Sequence, residues 1–323
     1  MSTASTSRRP IRLILDFDGT ITTTDTLAPL SRIGYSHASQ QSPPRALRPW
    51  SEIVAAYLSD YEKHAASYEP LEGERTTLAA EAAWLTSLEP IERASVQRAV
   101  NAGIWDGVSK EEIEAAARRE MREGNVRLRN GCNELMEWAL KYAEKHAEGS
   151  KGVEVNVLSV NWSRHWIWSV LKNGFESGKH GEAATELLMK VSIFANELPC
   201  IAALPASDIA GVNTELRTSG DKLRCMQQQK SGQGSEETAP FVIYLGDSAT
   251  DLECLAEANL GVCMRDERME SSQKELAATL RRLNIEVQWI GEEKSHIGED
   301  RKTIVWAKDF EEVKVWLSRY LRA

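Results

Sequence analysis

Short apolar runs alternate with amphipathic helical patterns along most of the chain. The first run, Ile11–Leu15, is apolar except for Arg12 and has the length of a buried strand. Phe241–Leu245 is continuously apolar, as expected for a central strand of a parallel sheet. Further strands are predicted at Val153–Val160, Val191–Ala195, Leu260–Met264 and Thr303–Trp306. Because strands that alternate with helices favour a parallel sheet, we predict an α/β fold with a doubly wound, Rossmann-like core.

The intervening segments show the spacing of amphipathic helices. Core helices are predicted at Gly131–Ala147, Trp162–Lys172, Asp221–Lys230, Ala249–Ala258, Ser271–Leu283 and Phe310–Tyr320.

Residues 26–126 lack strand-like runs. Helices are predicted at Ser51–Ser67, Glu72–Leu88, Ile91–Ala102 and Ser109–Glu123, after a polar loop at Ser36–Trp50. The last helix begins with a capping signature, a serine followed three residues later by a glutamate. We therefore predict an all-helical cap domain at 26–126, inserted into an α/β core of 1–25 and 127–323. The polar segment 230–240 is predicted to be a flexible loop within that core.

Composition narrows the class of protein. The 323 residues carry a net charge of −9, which argues against nucleic acid or an anionic membrane as a partner. The chain has no apolar run of transmembrane length, and its polar start, MSTASTSRR, does not resemble a secretory signal. Five scattered cysteines, with no CxxC pair, predict reduced thiols in a cytoplasmic protein without a zinc site. The polar start leaves organelle targeting open.

Polar groups follow several of the predicted strands. Asp16 and Asp18 come directly after the first strand, and two like charges about 4 Å apart repel by roughly 4 kcal/mol at an effective dielectric of 20. A bound cation would remove that cost. Open parallel sheets bind ligands at the carboxyl ends of their strands. Other candidate site residues at strand ends and helix starts are Ser159, Lys222, Asp247 and Asp251.

These residues form four motifs in order: Asp16-x-Asp18-Gly19-Thr20, a serine at a strand end, a lysine, and Gly246-Asp247-x-x-x-Asp251. The set resembles the haloacid dehalogenase (HAD) superfamily of phosphatases. The resemblance covers residues 11–29 and about 128–270, and the helical insert stands where some members carry a cap.

The resemblance implies a role for each residue. Asp16 would be the nucleophile that forms an aspartyl-phosphate, and Asp18 the general acid and then the base. Lys222 and Ser159 would bind the phosphoryl oxygens. The cofactor would be Mg²⁺, with Asp16, Asp18 through its carbonyl, Asp247 and Asp251 at the metal site, the last able to brace it from behind. Predicted phosphate or substrate contacts are Thr20, Ser159, Asn161, Lys222 and Asp25.

Finer similarities also appear. Thr22–Leu27 resembles phosphoserine phosphatases and the methylthio-pentenyl phosphate phosphatases, and Arg129-Asn130-Gly131 resembles their Arg-Pro-Gly turn. The segment after Ser159 departs from phosphoserine phosphatases, which have a glycine pair where this chain has Val160–Trp162. Asp25 could equally be a helix N-cap, and Asn161 a turn residue.

The aromatic residues and the pair Asn196-Glu197 leave further questions. Most of the ten tryptophans are expected in the core, although Trp50 and Trp162 are candidates to line a pocket. His165 is expected to be structural. Asn196-Glu197 also resembles the small phosphatases, without an evident role.

Together these features predict a Mg²⁺-dependent phosphatase that hydrolyses a small phosphomonoester metabolite. Two alternatives stay open. One is a phosphotransferase, which would favour an alcohol acceptor over water. The other is a non-catalytic HAD-fold protein that binds or regulates.

Overall fold

The computed structural model describes residues 9–145, 152–177, 186, 188–203, 209–211, 215–230, 239–292 and 302–322. In this part of the chain, seven parallel strands form one sheet in the order β3-β2-β1-β4-β5-β7-β6. Their bounds are β1 Ile11–Leu15, β2 Val153–Leu158, β3 Ser192–Phe194, β4 Phe241–Gly246, β5 Leu260–Met264, β6 Gln288–Trp289 and β7 Thr303–Ala307. The predicted α/β, doubly wound parallel sheet is confirmed.

The sheet is organised around β1. Ile11 pairs with Val153 of β2 on one side and with Phe241 of β4 on the other. The strand order proceeds in opposite directions from β1 and β4, so their following loops diverge and leave a crevice at the carboxyl edge. The predicted acidic residues stand at this crevice.

The core helices flank the sheet. They are α6 Cys132–Lys145, α7 Arg164–Glu176, α8 Pro199–Ala202, α9 Ser219–Lys230, α10 Leu252–Glu257, α11 Ser271–Arg282 and α12 Phe310–Tyr320. A short 3₁₀ turn, Ala249–Asp251, precedes α10, so the predicted helix over Ala249–Ala258 is divided in two. The predicted flexible loop at 230–240 lies mostly outside the described residues.

Every residue between β1 and α6 is described, and this segment contains helices and connecting loops but no strand. The α-helices are α1 Leu27–Ser39, α2 Trp50–Ser67, α3 Leu78–Ser87, α4 Glu89–Asn101 and α5 Lys110–Arg122. The two ends of this insert are tied together, because Thr22 and Leu128 form an antiparallel bridge and Arg129 N–H donates to the Ile21 carbonyl at 2.8 Å. Ser109 caps α5, as its sequence predicts.

Two predictions in the insert were wrong. The loop predicted at Ser36–Trp50 begins later, because α1 runs to Ser39 and buries Ile33 and Ala38. The helix predicted over Glu72–Leu88 is a 3₁₀ turn, Glu72–Glu74, followed by α3. The Thr77 hydroxyl accepts a hydrogen bond from Ala80 N–H at 3.2 Å, so this threonine caps a new helix instead of continuing an old one.

Apolar side chains pack on both faces of the sheet. Leu13 and Leu15 of β1 belong to one buried cluster, which also contains Trp105 and Ile113 of the insert. Ile14 belongs to a second cluster that includes Trp84 of α3. The insert therefore contributes to both sides of the core. Among the described residues no helix is long and apolar enough to cross a membrane, and all five cysteines are free thiols.

Candidate active site

A tight helical loop after β1 presents the first two carboxylates. Gly19 has φ +75°, and a Cβ there would collide with the carboxylate of Asp247, so only glycine fits. Arg129 is 3% exposed and donates to the carbonyls of Gly19 at 2.6 Å and Thr20 at 3.0 Å. Its guanidinium is held in turn by Asp266 at 2.5 Å. The arginine thus fixes the loop that carries Asp16 and Asp18.

Three carboxylates converge beside this loop. Asp16, Asp247 and Asp251 are buried and offer oxygens that all lie within 4.8 Å of one another. Lys222, which is 0% exposed, donates to Asp16 Oδ1 at 2.8 Å and to Asp251 Oδ1 at 2.7 Å. The cluster of three carboxylates therefore contains one ammonium, which pairs with two of them and leaves a deficit of positive charge.

The pKa shifts express this deficit. Burial and the nearby Asp251 raise the pKa of Asp16 to about 7, even though Lys222 opposes the shift. Burial, Asp251 and Asp16 raise the pKa of Asp247 well above its ordinary value. Burial lowers the pKa of Lys222, but Asp16 and Asp251 outweigh it and raise that pKa overall. A divalent cation would offset the repulsion, and oxygen donors in this number suit Mg²⁺.

Asp251 braces the cluster from behind. Besides Lys222, its Oδ1 accepts a hydrogen bond from the Tyr244 hydroxyl at 2.7 Å. Its Oδ2 accepts from the backbone N–H of Asp247 and of Ser248, both at 3.0 Å. With both oxygens engaged, Asp251 orients the lysine and the start of the Asp247 loop. Asp247 itself accepts hydrogen bonds from the hydroxyls of Thr20 at 3.0 Å and Ser272 at 2.9 Å.

Asp18 is oriented by a separate set of donors. Its Oδ1 accepts from Thr26 N–H at 2.9 Å and from the Thr26 hydroxyl at 2.6 Å, while its Oδ2 accepts from Asn161 Nδ2 at 2.7 Å. The indole N–H of Trp166 donates to Thr26 Oγ1 at 2.9 Å. Burial first, then Asp25, raise the pKa of Asp18 to about 8, despite the hydrogen bonds from Thr26 and Asn161. A carboxyl group with a pKa in this range can both give and take a proton near neutral pH.

A cavity of about 560 Å³ opens over these groups. Of the predicted site residues, Asp16, Asp18, Asp25, Ser159, Asn161 and Asp247 line it. The remaining three lie behind this lining. Thr20 and Lys222 donate to the buried carboxylates of Asp247 and Asp16, and Asp251 accepts a hydrogen bond from Lys222. Asp25 Oδ1 also accepts from Leu27 N–H, the first N–H of α1, at 2.9 Å, so Asp25 both binds the start of α1 and lines the cavity.

The pair Asn196-Glu197 supports the loop after β2. Asn196 Nδ2 donates to the carbonyls of Val160 and Asn161, both at 3.0 Å. Glu197 accepts from the Ser163 hydroxyl at 2.7 Å and from His165 N–H at 2.9 Å. These contacts hold Ser159 and Asn161 at the cavity wall, which gives the pair a structural role that its sequence did not reveal.

Several site residues escaped sequence reasoning. Thr26 stands in a run of threonines that offers no reason to prefer one, and Trp166 and Ser272 carry no motif. The signal for Arg129 was present in the resemblance of Arg129-Asn130-Gly131 to a known turn. Its partners, two backbone carbonyls more than 100 residues away, are invisible in the sequence.

Comparison with known proteins finds distant relatives. No protein-family model matches the chain. It is 22% identical over 269 residues to the bifunctional TH2 protein, mitochondrial, of Arabidopsis thaliana, covering 79% of this chain and 40% of that protein. It is 24% identical over 259 residues to cold tolerance protein 1 of Saccharomyces cerevisiae, covering 74% of each. The chain thus spans less than half the length of the first of these relatives.

Solved structures give a similar result. A phospho-aspartyl intermediate analogue of phosphoserine phosphatase matches with a TM-score of 0.44 at 14% identity, covering 96% of this chain and 99% of that one. A HAD family hydrolase from Salmonella enterica matches with a TM-score of 0.39 at 15% identity, covering 79% and 63%. Likenesses of this size do not establish a function, which has to come from the residues of the site.

Proposed function

We propose that the protein is a Mg²⁺-dependent phosphatase of the HAD type, acting on a small phosphomonoester metabolite through an aspartyl-phosphate. The observation that carries the proposal is the buried set of Asp16, Asp247, Asp251 and Lys222 at the crevice between β1 and β4, beneath a cavity. Asp18 follows the nucleophile by two residues and has its own donors.

The residues divide the chemistry as follows. A carboxylate oxygen of Asp16 attacks phosphorus, and the bond to the alcohol oxygen breaks as Asp18 gives that oxygen a proton. Asp18, now a carboxylate, takes a proton from water, whose oxygen attacks the phosphorus of the aspartyl-phosphate and releases phosphate and Asp16. Lys222 balances charge beside Asp16, and the Ser159 hydroxyl is available to the phosphoryl oxygens.

Magnesium would be held by Asp16, Asp247 and the main-chain carbonyl of Asp18, with Asp251 behind them. When bound, the cation supplies positive charge to the phosphoryl oxygens. The helical insert, 26–126, would act as the cap over a core of 1–25 and 127–323, and the bridge between Thr22 and Leu128 supports a junction there. The free thiols favour a reducing compartment such as the cytoplasm.

The nucleophile provides the decisive test. Asp16→Asn is expected to leave the circular dichroism spectrum unchanged and to abolish Mg²⁺-dependent hydrolysis of p-nitrophenyl phosphate, because an amide cannot attack phosphorus. Asp106→Asn, on an aspartate whose side chain is 70% exposed, is the matched control and should retain activity. Turnover by the Asp16→Asn protein would refute the mechanism.

The metal site needs a separate measurement. Asp247→Asn removes one carboxylate from the proposed ligand set, and calorimetric titration should show Mg²⁺ binding weakened by at least the roughly 10- to 100-fold that loss of a residue supporting a ligand causes. Unchanged binding in this variant would exclude Asp247 as a ligand.

A further inference from the structure

The cavity extends well beyond the carboxylates at which the phosphoryl group would react. Its volume of about 560 Å³ falls in the range of sites that enclose a whole small organic molecule. Trp50, Ile53 and Tyr57 of α2 line it from the insert, and Trp162 lines it from the core loop that also carries Ser159. The leaving group of a substrate would therefore lie between α2 and the loop after β2.

Two of these lining residues form a prearranged aromatic corner. Trp50 and Trp162 meet edge to face, with ring centroids 6.0 Å apart. Trp105 touches both, at 6.2 Å and 5.9 Å, and its indole N–H donates to the Leu30 carbonyl at 3.0 Å. Because Trp105 is only 4% exposed and hydrogen-bonded, it holds the other two rings in place. Such a corner is suited to the face or edge of another flat ring.

A carboxylate lies in the same cavity. Glu92 of α4 lines the wall and accepts a hydrogen bond from the Tyr57 hydroxyl at 2.8 Å through Oε1. The other carboxylate oxygen, Oε2, can accept a hydrogen bond from a ligand. Arg217, which also lines the cavity, is held by Asn196 Oδ1 at 2.5 Å and the Leu216 carbonyl at 3.2 Å. Among the described residues that line the cavity away from Asp16, Asp18 and Asp247, the charged side chains are the carboxylates Asp25 and Glu92 and the guanidinium of Arg217.

We propose that the substrate is a phosphomonoester of an alcohol that carries a planar aromatic ring with an N–H donor. This inference rests on the proposed phosphatase function and specifies its leaving group. The ring packs against Trp50 and Trp162, and the donor binds Glu92. A small polar alcohol such as serine would leave the aromatic corner without a partner.

A matched series of phosphomonoesters tests the proposal on the unaltered protein with Mg²⁺. The probes are 4-(aminomethyl)benzyl phosphate, benzyl phosphate, cyclohexylmethyl phosphate and O-phosphoserine, assayed by phosphate release. We expect kcat/KM to fall in that order, with the first exceeding phosphoserine by roughly 100-fold, as expected for burial of an aromatic ring and one charge-assisted hydrogen bond.

Variants assign the effect to residues. Trp50→Leu and Trp162→Leu should each lower kcat/KM for benzyl phosphate by roughly 10-fold and leave phosphoserine almost unaffected. Glu92→Gln keeps the acceptor for Tyr57 and should lower only the rate with the aminomethyl probe. Trp289→Leu, on a 38% exposed strand residue, is the control. If a tryptophan variant fails to fold, Glu92→Gln and the substrate series still test the proposed substrate class.

The outcomes separate the two proposals. If none of the four probes is hydrolysed, and p-nitrophenyl phosphate is not hydrolysed either, the phosphatase function itself is refuted; if only p-nitrophenyl phosphate is hydrolysed, the aromatic substrate class is overturned. Hydrolysis of all four with similar kcat/KM, or a preference for phosphoserine, would leave the phosphatase function intact and overturn the aromatic substrate class.

Discussion

Thr26 determines which oxygen of Asp18 can carry a proton. Its hydroxyl oxygen receives Trp166 Nε1 at 2.9 Å and Asn161 Nδ2 at 3.1 Å, so its own hydrogen points to Asp18 Oδ1. Asn161 cannot reverse its amide, because its Oδ1 accepts from Ser163 N–H at 3.0 Å. A proton on Asp18 is therefore confined to Oδ2, on the lone pair that Asn161 does not use.

This arrangement gives a prediction for Thr26→Val. Loss of the hydroxyl should lower kcat for benzyl phosphate by about 10-fold, because general acid catalysis contributes roughly 10²- to 10⁴-fold and is weakened here, not removed. The rate with p-nitrophenyl phosphate should fall much less, since nitrophenolate leaves without a proton. Thr24→Val, on an exposed neighbour, is the control. Equal losses with both esters would mean that Thr26 supports binding or folding instead.

Lys222 is the second residue on which the site depends. It is fully buried between two carboxylates, whereas Lys302 pairs with Glu257 at the surface with 55% of its side chain exposed. Removing one member of a buried pair costs far more than removing one at the surface, because the remaining charge has no water to solvate it.

Lys222→Met is therefore expected to lower the free energy of unfolding by about 3–5 kcal/mol without Mg²⁺, as measured by urea denaturation. Added Mg²⁺ should restore part of the loss, because a divalent cation faces the same carboxylates. Lys302→Met should cost less than about 1 kcal/mol. A cost for Lys222→Met as small as that of the control would show that the carboxylates do not depend on the ammonium.

At the residue scale the sequence predicted the carboxylates and the lysine that meet at the crevice, together with Asn161 and Asp251, but it did not single out Thr26. Asp16, Asp18 and Asp247 stand at strand ends, where their type and spacing are informative. Thr26 and Arg129 act through hydrogen bonds to atoms that are distant in sequence or belong to the backbone, and a single chain carries no trace of those contacts.

Among the elements, α3 joins the helical insert to the core. Glu81 Oε2 accepts from Arg75 Nε at 2.8 Å and from Arg282 Nη1 of α11 at 2.9 Å. The side chains of Glu81, Arg75 and Arg282 are 5%, 7% and 14% exposed. Arg75 also stacks on Trp84, 4.7 Å from its ring centroid. A buried ionic contact and a cation–π contact thus hold the same helix.

Glu81→Gln should lower the free energy of unfolding by about 3 kcal/mol, because two buried guanidinium groups lose their counter-charge. Glu89→Gln is the matched control, since Glu89 pairs with Arg93 at the surface of α4 and should cost less than about 1 kcal/mol. Chemical denaturation of both variants measures the difference. A loss below 1 kcal/mol in Glu81→Gln would show that α3 is held by its apolar contacts alone.

The elements differ in how far sequence predicts them. Strands β1, β4 and β5 were predicted to within one residue, because a fully buried parallel strand is continuously apolar. β6 has two residues, too few for any pattern. At the division between the 3₁₀ turn and α3 lie the Thr77 cap and Arg75, whose side chain donates to Glu81 of α3 and whose carbonyl accepts from Arg282 of α11.

For the whole molecule, the sheet order explains why one crevice collects the site. The loops after β1 and β4 diverge there, and Asp16 N–H donates to the Leu245 carbonyl at 2.9 Å. This position followed from the alternation of strands and helices. The cavity could not be predicted in the same way, because residues of α2 and α4 line it from the insert. The position of these helices relative to β1 is set by apolar packing on both faces of the sheet.

The central position of β1 also has a consequence for how the protein is made. Ile11 leaves the ribosome long before its partners Val153 and Phe241, and at about 5–20 residues per second the second partner follows roughly 10–50 s later. Until Val153 emerges the first strand has no native neighbour in the sheet, and from then until Phe241 emerges it has only one of its two neighbours. Ribosome-bound chains arrested before residue 241 should therefore be cleaved readily by protease near Ile11–Leu15, and chains long enough to free β4 should resist.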